Sequence, residues 1–571
     1  MTHKAISPAV SLRVLSLAVG FSLLPLSAVA ATPPSIGQIM QPVPSTTPTA
    51  PVLKAPVITP PSAVSPRAVT PTPSFRVRTI IVTGNTVLSK AQLAAVIKPY
   101  EGKTTTLQGL DRLAQRLAAL YRQKGYPLTT VYVPAQTIHA GVVHLTVLEA
   151  RYGAVRMINK SKVHTNLLDA TLRPVHTGAL IATAPLDQSL LLLSAIPGVV
   201  VSPATLSPGV MVGTSNLTVT ANPTAPVTGN VSLDNYGNAA TGRQELQGGV
   251  AINNLLGIGD VLTAQGLVST GHGLVYGGIG YSALVDGIGT RVGVNVSDLS
   301  YRLGGAFTAL GATGGAQSLG VTATQPLYLT PQAALYTGLT LNREVLEDNV
   351  AADSLYDHRH IDSGSVSLYG NEQDALFGSA GLTNATVSYT LGNLAFTNRA
   401  AQAADAAGAH TQGTFSKIDI NATRLQSLPY ATTLALAING QQAFNNLDSA
   451  EGFVLGGPTA LPGYPAGDAI ADSGVSVTEA LHHALPRIPY IPGILRASLF
   501  ADQGALSFHH TPYAGSGPNH GELADAGFSV SWAPTPSLTS RVEVAWRTHA
   551  SEAVLPVSSP VMVWWNVGWQ G

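Results

Sequence analysis

The chain closes on Val561, Val563, Trp565, Val567 and Trp569 alternating with Met562, Trp564, Asn566, Gly568 and Gln570, a strand with one wholly apolar face and an aromatic residue near its end. Successive strand side chains point to opposite faces. A water-soluble domain rarely ends on such a segment, whereas an outer-membrane barrel needs one face for lipid and the other for its lumen. The alternation recurs upstream, where Val542, Val544 and Trp546 interleave with Arg541, Glu543, Ala545 and Arg547. A soluble β-sandwich gives the same local pattern, so length decides. Residues 227–571 are too long for one sandwich and fit a closed antiparallel transmembrane β-barrel of about 14 to 18 strands, taken as about 16.

Composition agrees. Only 11% of residues are charged and 45% are hydrophobic, yet beyond the amino-terminal run no stretch offers about 18 uninterrupted apolar residues, which excludes helical membrane spans. Apolar residues dispersed at every second position of many strands account for both facts. Lys plus Arg and Asp plus Glu both number 30, leaving no basic surplus to attract nucleic acid, which is dropped as a partner. The absence of cysteine removes thiol catalysis, thiolate metal sites and disulfides together. At the amino end Lys4 and Arg13 flank an apolar run from Val14 to Leu26, followed by Ala28-Val29-Ala30. This predicts an export signal over residues 1–30, cleaved after Ala30, because the run falls short of the about 20 residues a spanning helix needs.

Residues 31–73 form a Pro-rich spacer in which regular helix is forbidden over most of the length; the Pro-free piece from Ser35 to Gln41 has room for a helical turn or two. Residues 74–150 change to a compact pattern. Arg76 to Val82 reads as a strand, Ser89 caps a helix through Leu93, Val96 and Ile97, and Leu110, Leu113, Leu117, Leu120 and Tyr121 recur at helical spacing up to Gly125. Strands at about Leu128 to Val133 and Val142 to Leu148 complete a strand-helix-helix-strand-strand unit. A weaker copy runs over residues 151–222, with helices at Leu167 to Leu172 and Leu186 to Leu193, and residues 223–571 form the barrel. Ala400 to Gly413, nearly all Ala, Gly, Gln and Asp, reads as a long surface loop on the outer side.

Four motifs in order carry a family resemblance. They are the run Leu190 to Val199 with Leu206-Ser207-Pro208-Gly209 and Gly213 to Leu217; Ser232-Leu233-Asp234-Asn235-Tyr236-Gly237 with Thr241-Gly242 and Asn253 to Asp260; Leu455-Gly456-Gly457-Pro458 leading to Leu461-Pro462-Gly463-Tyr464-Pro465; and Phe500-Ala501-Asp502-Gln503-Gly504. From about Arg76 onward the chain resembles the two-partner secretion transporters of the hemolysin-secretion and filamentous-hemagglutinin-secretion type, within the Omp85 superfamily. The resemblance implies two periplasmic POTRA domains, a barrel, an inward-folded transport loop around Gly456, Gly457, Pro462, Gly463, Tyr464 and Pro465, and an F-x-D-x-G strand carrying Phe500, Asp502 and Gly504. It also implies an amino-terminal helix that plugs the pore, for which Ser35 to Gln41 is the one candidate; either the plug is vestigial or the spacer itself lies in the pore.

One departure stands out. The family's loop carries an arginine before Gly-Tyr that reaches the aspartate of the F-x-D strand; here the place holds Pro462, and no Lys or Arg occurs from Leu425 to Pro486. Asp502 shares strand parity with Phe500, Ser498 and Arg496, which places it toward the lumen. A carboxylate there wants a partner, and Arg496, Arg541 and Arg547 are the candidates, a solvated Asp502 in a wet lumen being the alternative.

The chain shows no enzyme signature and implies no cofactor or metal. Gly102-Lys103-Thr104 lacks the glycine a phosphate loop needs five residues earlier, where Ile97 stands. His358 and His360 with Asp357 and Asp362 are expected on a polar external loop rather than at a metal, and His482-His483 and His509-His510 are equally unsupported. The resulting expectation is an outer-membrane translocator that takes an unfolded, large, β-rich exoprotein through its POTRA domains and exports it through the barrel. Its other partners would be outer-membrane lipid and the barrel assembly machinery that inserts it. The rivals are an assembly factor of the same superfamily and a passive porin or adhesin.

Overall fold

The computed structural model describes residues 33–40, 50–52, 58–59, 73–353, 355–551, 553–554 and 559–571. The signal over residues 1–30 and most of the Pro-rich spacer lie outside the described residues.

The first α+β unit buries one face of two helices against a small sheet. Ser89 caps Lys90–Ile97 in a capping box with Gln92, and Thr106 caps Leu107–Gln123. Leu110, Leu113, Leu117 and Tyr121 are fully buried against Val77, Val143 and Leu145. Gly125, at φ +85°, ends the second helix in the left-handed region that glycine favours. Val142–Leu148 runs parallel to Thr79–Thr83 and antiparallel to Thr130–Tyr132. The single strand expected over Arg76 to Val82 is broken in two. Phe75–Arg76 pairs with Thr104–Thr105, the Val77 N–H donates to Lys103 and the Arg78 N–H to Gly141. The chain therefore changes partners at Val77 and Arg78, and its buried parity shifts there too, from Phe75 and Val77 to Ile80 and Val82.

Glu149 fastens this unit's turn. Its carboxylate accepts from the backbone N–H of Thr86 at 2.7 Å and of Val87 at 3.1 Å, from the Tyr121 hydroxyl at 3.0 Å and from the Thr86 hydroxyl. Burial pushes the carboxyl upward, but the hydrogen bonds from Thr86, Tyr121 and Val87 outweigh it and hold the group below its usual value. Burial, and then Glu149 itself, pushes the Tyr121 phenol well up.

The second unit repeats the order. Arg151–Asn159 runs parallel to Thr214–Pro223, which is antiparallel to Val199–Val201 and Ala204–Pro208. Helices Thr165–Thr171 and Thr183–Ser194 bury Leu168, Leu186, Leu190 and Leu193 on that sheet. Spacer residues Ile58–Thr59 add a short parallel strand beside Ala204 and Thr205.

Among the described residues sixteen antiparallel strands close a barrel. They are β1 Val227–Asp234, β2 Glu245–Asn253, β3 Val261–Ser269, β4 Leu274–Leu284, β5 Arg291–Arg302, β6 Ala312–Leu329, β7 Ala333–Val350, β8 Leu355–Asp374, β9 Gly381–Phe396, β10 Gly413–Leu428, β11 Thr432–Ala443, β12 Ser473–Ala484, β13 Ile494–Ser507, β14 His520–Thr535, β15 Leu538–Ala550 and β16 Val561–Gln570. β16 pairs with β1, so no strand edge is left for the membrane to desolvate. The parity read from β16 holds: Val563, Val567 and Trp569 face outward, while Met562 and Trp564 are buried inside. The turns at one end are short, and the second α+β unit sits there: the His164 N–H donates to the carbonyl of Gly257 at 2.7 Å, and Leu192 lies against Gly289 and Pro326. That end is the periplasmic one, and residues 444–472 enter the lumen from the other.

Two expectations are corrected on the outer side. Ala400 to Gly413 is not loop throughout; Asn398 accepts from the Ala401 N–H and caps a helix, Arg399–Ala407, because an Ala-rich run needs only a cap to start. Asp357, His358, His360 and Asp362 lie on β8 rather than in an external loop. Asp357 pairs with Arg359, and His358 meets Glu347 on the neighbouring strand.

Candidate functional site

The lumen is filled from within by one loop and one short helix. Between β11 and β12 the chain forms a hairpin, Phe453–Leu455 against Ala469–Ala471, whose tip spans the glycine and proline motif. Gly456 and Gly457 take φ +101° and +93°, and a Cβ on Gly456 would come within 2.3 Å of the Pro465 carbonyl, so the tip closes only with glycine there. The Gly457 N–H donates to the Tyr464 carbonyl at 3.0 Å, making the tip self-braced.

The tip docks on β13 to β16 through groups the motif residues supply. The Gly463 N–H donates to Asp525 Oδ2 at 2.7 Å, and the Trp564 indole N–H donates to the Pro462 carbonyl at 2.7 Å. Tyr464 is buried, donates its hydroxyl toward the carbonyls of Ala524 and His549, and carries the Arg547 guanidinium 4.7 Å over its ring. Leu455, Leu461 and Tyr464 pack with Leu506 and Leu523. Gly504 makes room for this: a Cβ there would lie 2.4 Å from the Leu455 side chain. Pro465 ends the motif in the turn that leads to Asp468, whose N–H donates to its carbonyl. Asn238, in the first barrel hairpin motif, donates to the Ala466 carbonyl at 2.9 Å, so two motifs distant in sequence meet at the tip.

Asp502 faces inward, as its parity requires, and lies directly opposite Asp525 on β14, both nearly fully buried; Phe500, of the same motif, lies over Gly527. Its expected arginine partners are engaged or placed elsewhere. Arg541 pairs with Glu543, Arg547 covers Tyr464, and Arg496 sits six residues down the same strand, about 20 Å away at strand rise. The two carboxyl groups are hydrogen-bonded to each other across the strands, and Gly463 is the donor that the loop brings to the pair. Pro462 thus contributes its carbonyl to Trp564 rather than a side chain to Asp502.

The base of the loop is held by charge. Asp448 Oδ2 lies 2.6 Å from Arg359 Nε of β8, and Glu451 Oε2 lies 2.8 Å from Lys417 Nζ of β10. Here the wall carries the cations and the loop the carboxylates. Sequence reasoning looks for a cation in the loop and so passes over these four residues; the available signal is strand parity, which sets Arg359 on the same face as the buried Ile361 and Lys417 on the same face as the buried Phe415.

Of the piece from Ser35 to Gln41, residues 35–40 are among those described. Ile36–Ile39 is a single helical turn with Ser35 and Gln38 in a capping box, and Ile36 and Ile39 are fully buried among Leu267, Leu299, Leu346, Ile361, Leu394 and Phe415. Gln38 donates to the Gly467 carbonyl at 2.6 Å, and a Cβ on Gly37 would meet the Ser449 carbonyl at 1.8 Å. Farther along, the carbonyls of Ala50 and Pro51 accept from Asn371 near the periplasmic end of β8.

Residues 75–150 match the ShlB-type POTRA domain, and residues 213–531 match the haemolysin secretion/activation protein family ShlB/FhaC/HecB. The heme/hemopexin transporter protein HuxB of Haemophilus influenzae is 31% identical over 80% of each chain. The outer membrane transporter CdiB of Escherichia coli is 28% identical over 40% of this chain and 38% of its own. In structure, the CdiB proteins of Escherichia coli and Acinetobacter baumannii superpose with TM-scores of 0.71 and 0.63 at 21% and 18% identity. They cover 89% and 90% of this chain and 93% and 94% of theirs, and share its fold.

Proposed function

We propose, since the chain belongs to the haemolysin secretion/activation family ShlB/FhaC/HecB, that it is the outer-membrane translocator of a two-partner secretion system. The barrel lies in the outer membrane with its POTRA portion in the periplasm, and relatives of this kind are transporters. The observation that carries the reading is a sealed barrel whose lumen holds its own loop and an amino-terminal helix in place of a permanent channel. A passive porin has no use for such a stopper, and an extended polypeptide crossing the barrel must displace both.

In this reading the two α+β units, residues 74–150 and 151–222, are POTRA domains that take a large, β-rich exoprotein in its unfolded state by offering sheet edges to an extended segment. Passage outward needs no nucleotide: folding of cargo outside stabilises the exported state and draws transfer forward. The Gly456 to Pro465 tip and the strand bearing Phe500, Asp502 and Gly504 form the moving contact. Insertion of the barrel itself falls to the barrel assembly machinery. Because a relative is a heme/hemopexin transporter, a cargo connected with heme or hemopexin is the first to try. The test is export of a matching exoprotein from cells carrying this chain, with residues 76–221 deleted in parallel. Export that survives the deletion rejects the POTRA role, and a conducting barrel with no exported cargo at all rejects the function.

A further inference from the structure

The ion pairs at the base of the lumenal loop have an arrangement that the tip motif gives no reason to expect. We propose that Asp448 and Glu451, held by Arg359 and Lys417, form a charge-reversed latch that positions the transport loop and seats the plug helix, in place of the arginine that Pro462 replaces. The inference rests on the transport reading above.

Location separates a latch from ordinary scaffolding. Strands β8 and β10 are already zipped to their neighbours by continuous ladders, so the barrel does not need these pairs to close. Both pairs instead join the wall to a segment with no ladder of its own to the barrel. Arg359 and Asp448 side chains are 3% and 9% exposed, and those of Lys417 and Glu451 11% and 13%. By contrast Arg343 and Asp362, on the wall, are 57% and 48% exposed, a setting in which an ion pair counts for little.

The geometry also fixes direction. Lys417 Nζ reaches both the carboxylate of Glu451 and its carbonyl, at 2.8 and 2.9 Å, and Gln441 donates to the same carbonyl at 2.9 Å. Asp448 caps the turn Ser449–Glu451 through the Ala450 N–H at 2.9 Å. Backbone and charge are clamped together, and the Ser449 carbonyl between the two carboxylates is what the Gly37 backbone rests on. Wall, loop and helix thereby become one body.

Such a latch can open. Arg359 Nη1 also lies 2.9 Å from Asp348 and 2.9 Å from Asp357, both on the wall. When the loop withdraws, the guanidinium keeps carboxylate partners and Asp448 passes to water, so no buried charge is stranded on this side. Positioning residues that release without an orphan suit a loop that must move in each transport cycle.

The full chain without cysteine allows one reporter, Ala466→Cys, buried beside the loop tip, to be labelled by a membrane-impermeant maleimide while open time is measured in planar bilayers. The double variant Asp448→Asn with Glu451→Gln is expected to raise both labelling rate and open fraction about tenfold or more, with the heat-modifiable gel mobility of the folded barrel unchanged. Glu451→Lys is expected to do the same, and adding Lys417→Glu to restore closure; Arg343→Gln serves as the neutral control. A folded double variant with parental labelling and open fraction overturns the latch, as does failure of the exchanged pair to restore what Glu451→Lys loses. Neither readout uses exoprotein, so failure here is distinct from failure of the transport function.

Discussion

The plug helix gives the most quantitative prediction. At four residues it has no stability of its own, so its place in the lumen depends on what it buries and binds. Ile36 and Ile39 are fully buried, and truncating a buried isoleucine to alanine costs about 2–5 kcal/mol. Taking the low end for each, since residues three apart share neighbours and do not add fully, Ile36→Ala with Ile39→Ala weakens the seated state by about 3–4 kcal/mol. That corresponds to two to three powers of ten in the ratio of seated to unseated barrels, at about 1.4 kcal/mol per tenfold. Gln38 and its bond to Gly467 remain, and offset only about 1 kcal/mol. Single-channel recording in planar bilayers reads the ratio directly as open time. The reasoning is refuted if the doubly truncated barrel, folded by its heat-modifiable mobility, stays open no more than about twice as long as the parent. Gly37→Val is an independent route to the same end, because its Cβ has nowhere to go beside the Ser449 carbonyl.

Gly463→Val should undock the tip, since a Cβ there falls 2.5 Å from that of Asp525; export measured by immunoblot of the medium is expected to fall about tenfold or more while the barrel still assembles. Asp525→Asn keeps an acceptor for the Gly463 N–H and a hydrogen-bond partner for the Asp502 carboxyl, so it should export like the parent. Asp525→Leu strands that donor at about 1–3 kcal/mol, and equal export from the two variants would remove the docking bond from the account. In the first POTRA domain the folded pKa of Glu149 is depressed below the usual 4.5. Its contribution is therefore present above the unfolded pKa and lost as pH falls through the folded one. The hydrogen-exchange protection factors of the turn at residues 84–89, referred to the intrinsic rate at each pH, should fall in the parent as pH drops through the depressed carboxyl pKa, whereas Glu149→Gln should be less protected at neutral pH and lose that acid response.

The barrel was legible because its rule is local: each residue of β16 and β15 declares its side by parity, and the count of about sixteen strands follows from length. The helices of the first POTRA domain were legible through Ser89, the leucine spacing and Gly125. What the sequence hid depends on partners far along the chain. The strand from Arg76 breaks because Lys103 and Gly141 compete for its backbone. The helix Arg399–Ala407 was concealed by a composition that suits loops as well as helices. The cost of an unpaired carboxylate points Asp502 toward an arginine, with solvation as the alternative, but the residue opposite it is Asp525, and the cations that hold the loop reside on β8 and β10, 89 and 34 residues from their loop partners. Charge pairing across a lumen leaves no period in the sequence; only the fold brings the partners together.

The amino-terminal chain is fixed at three stations: the helix in the outer half of the lumen, Ala50 and Pro51 on Asn371 at the periplasmic end, and Ile58–Thr59 on the sheet of the second α+β unit. Nine residues lie between Met40 and Ala50, and the ten Cα steps make a leash of at most about 36 Å when drawn straight. While the lower stations grip, the stopper cannot be pushed out to the cell surface for good; it hangs on a cord anchored below. Clearing the bore for cargo therefore means reeling the stopper inward, toward the side on which the cargo arrives.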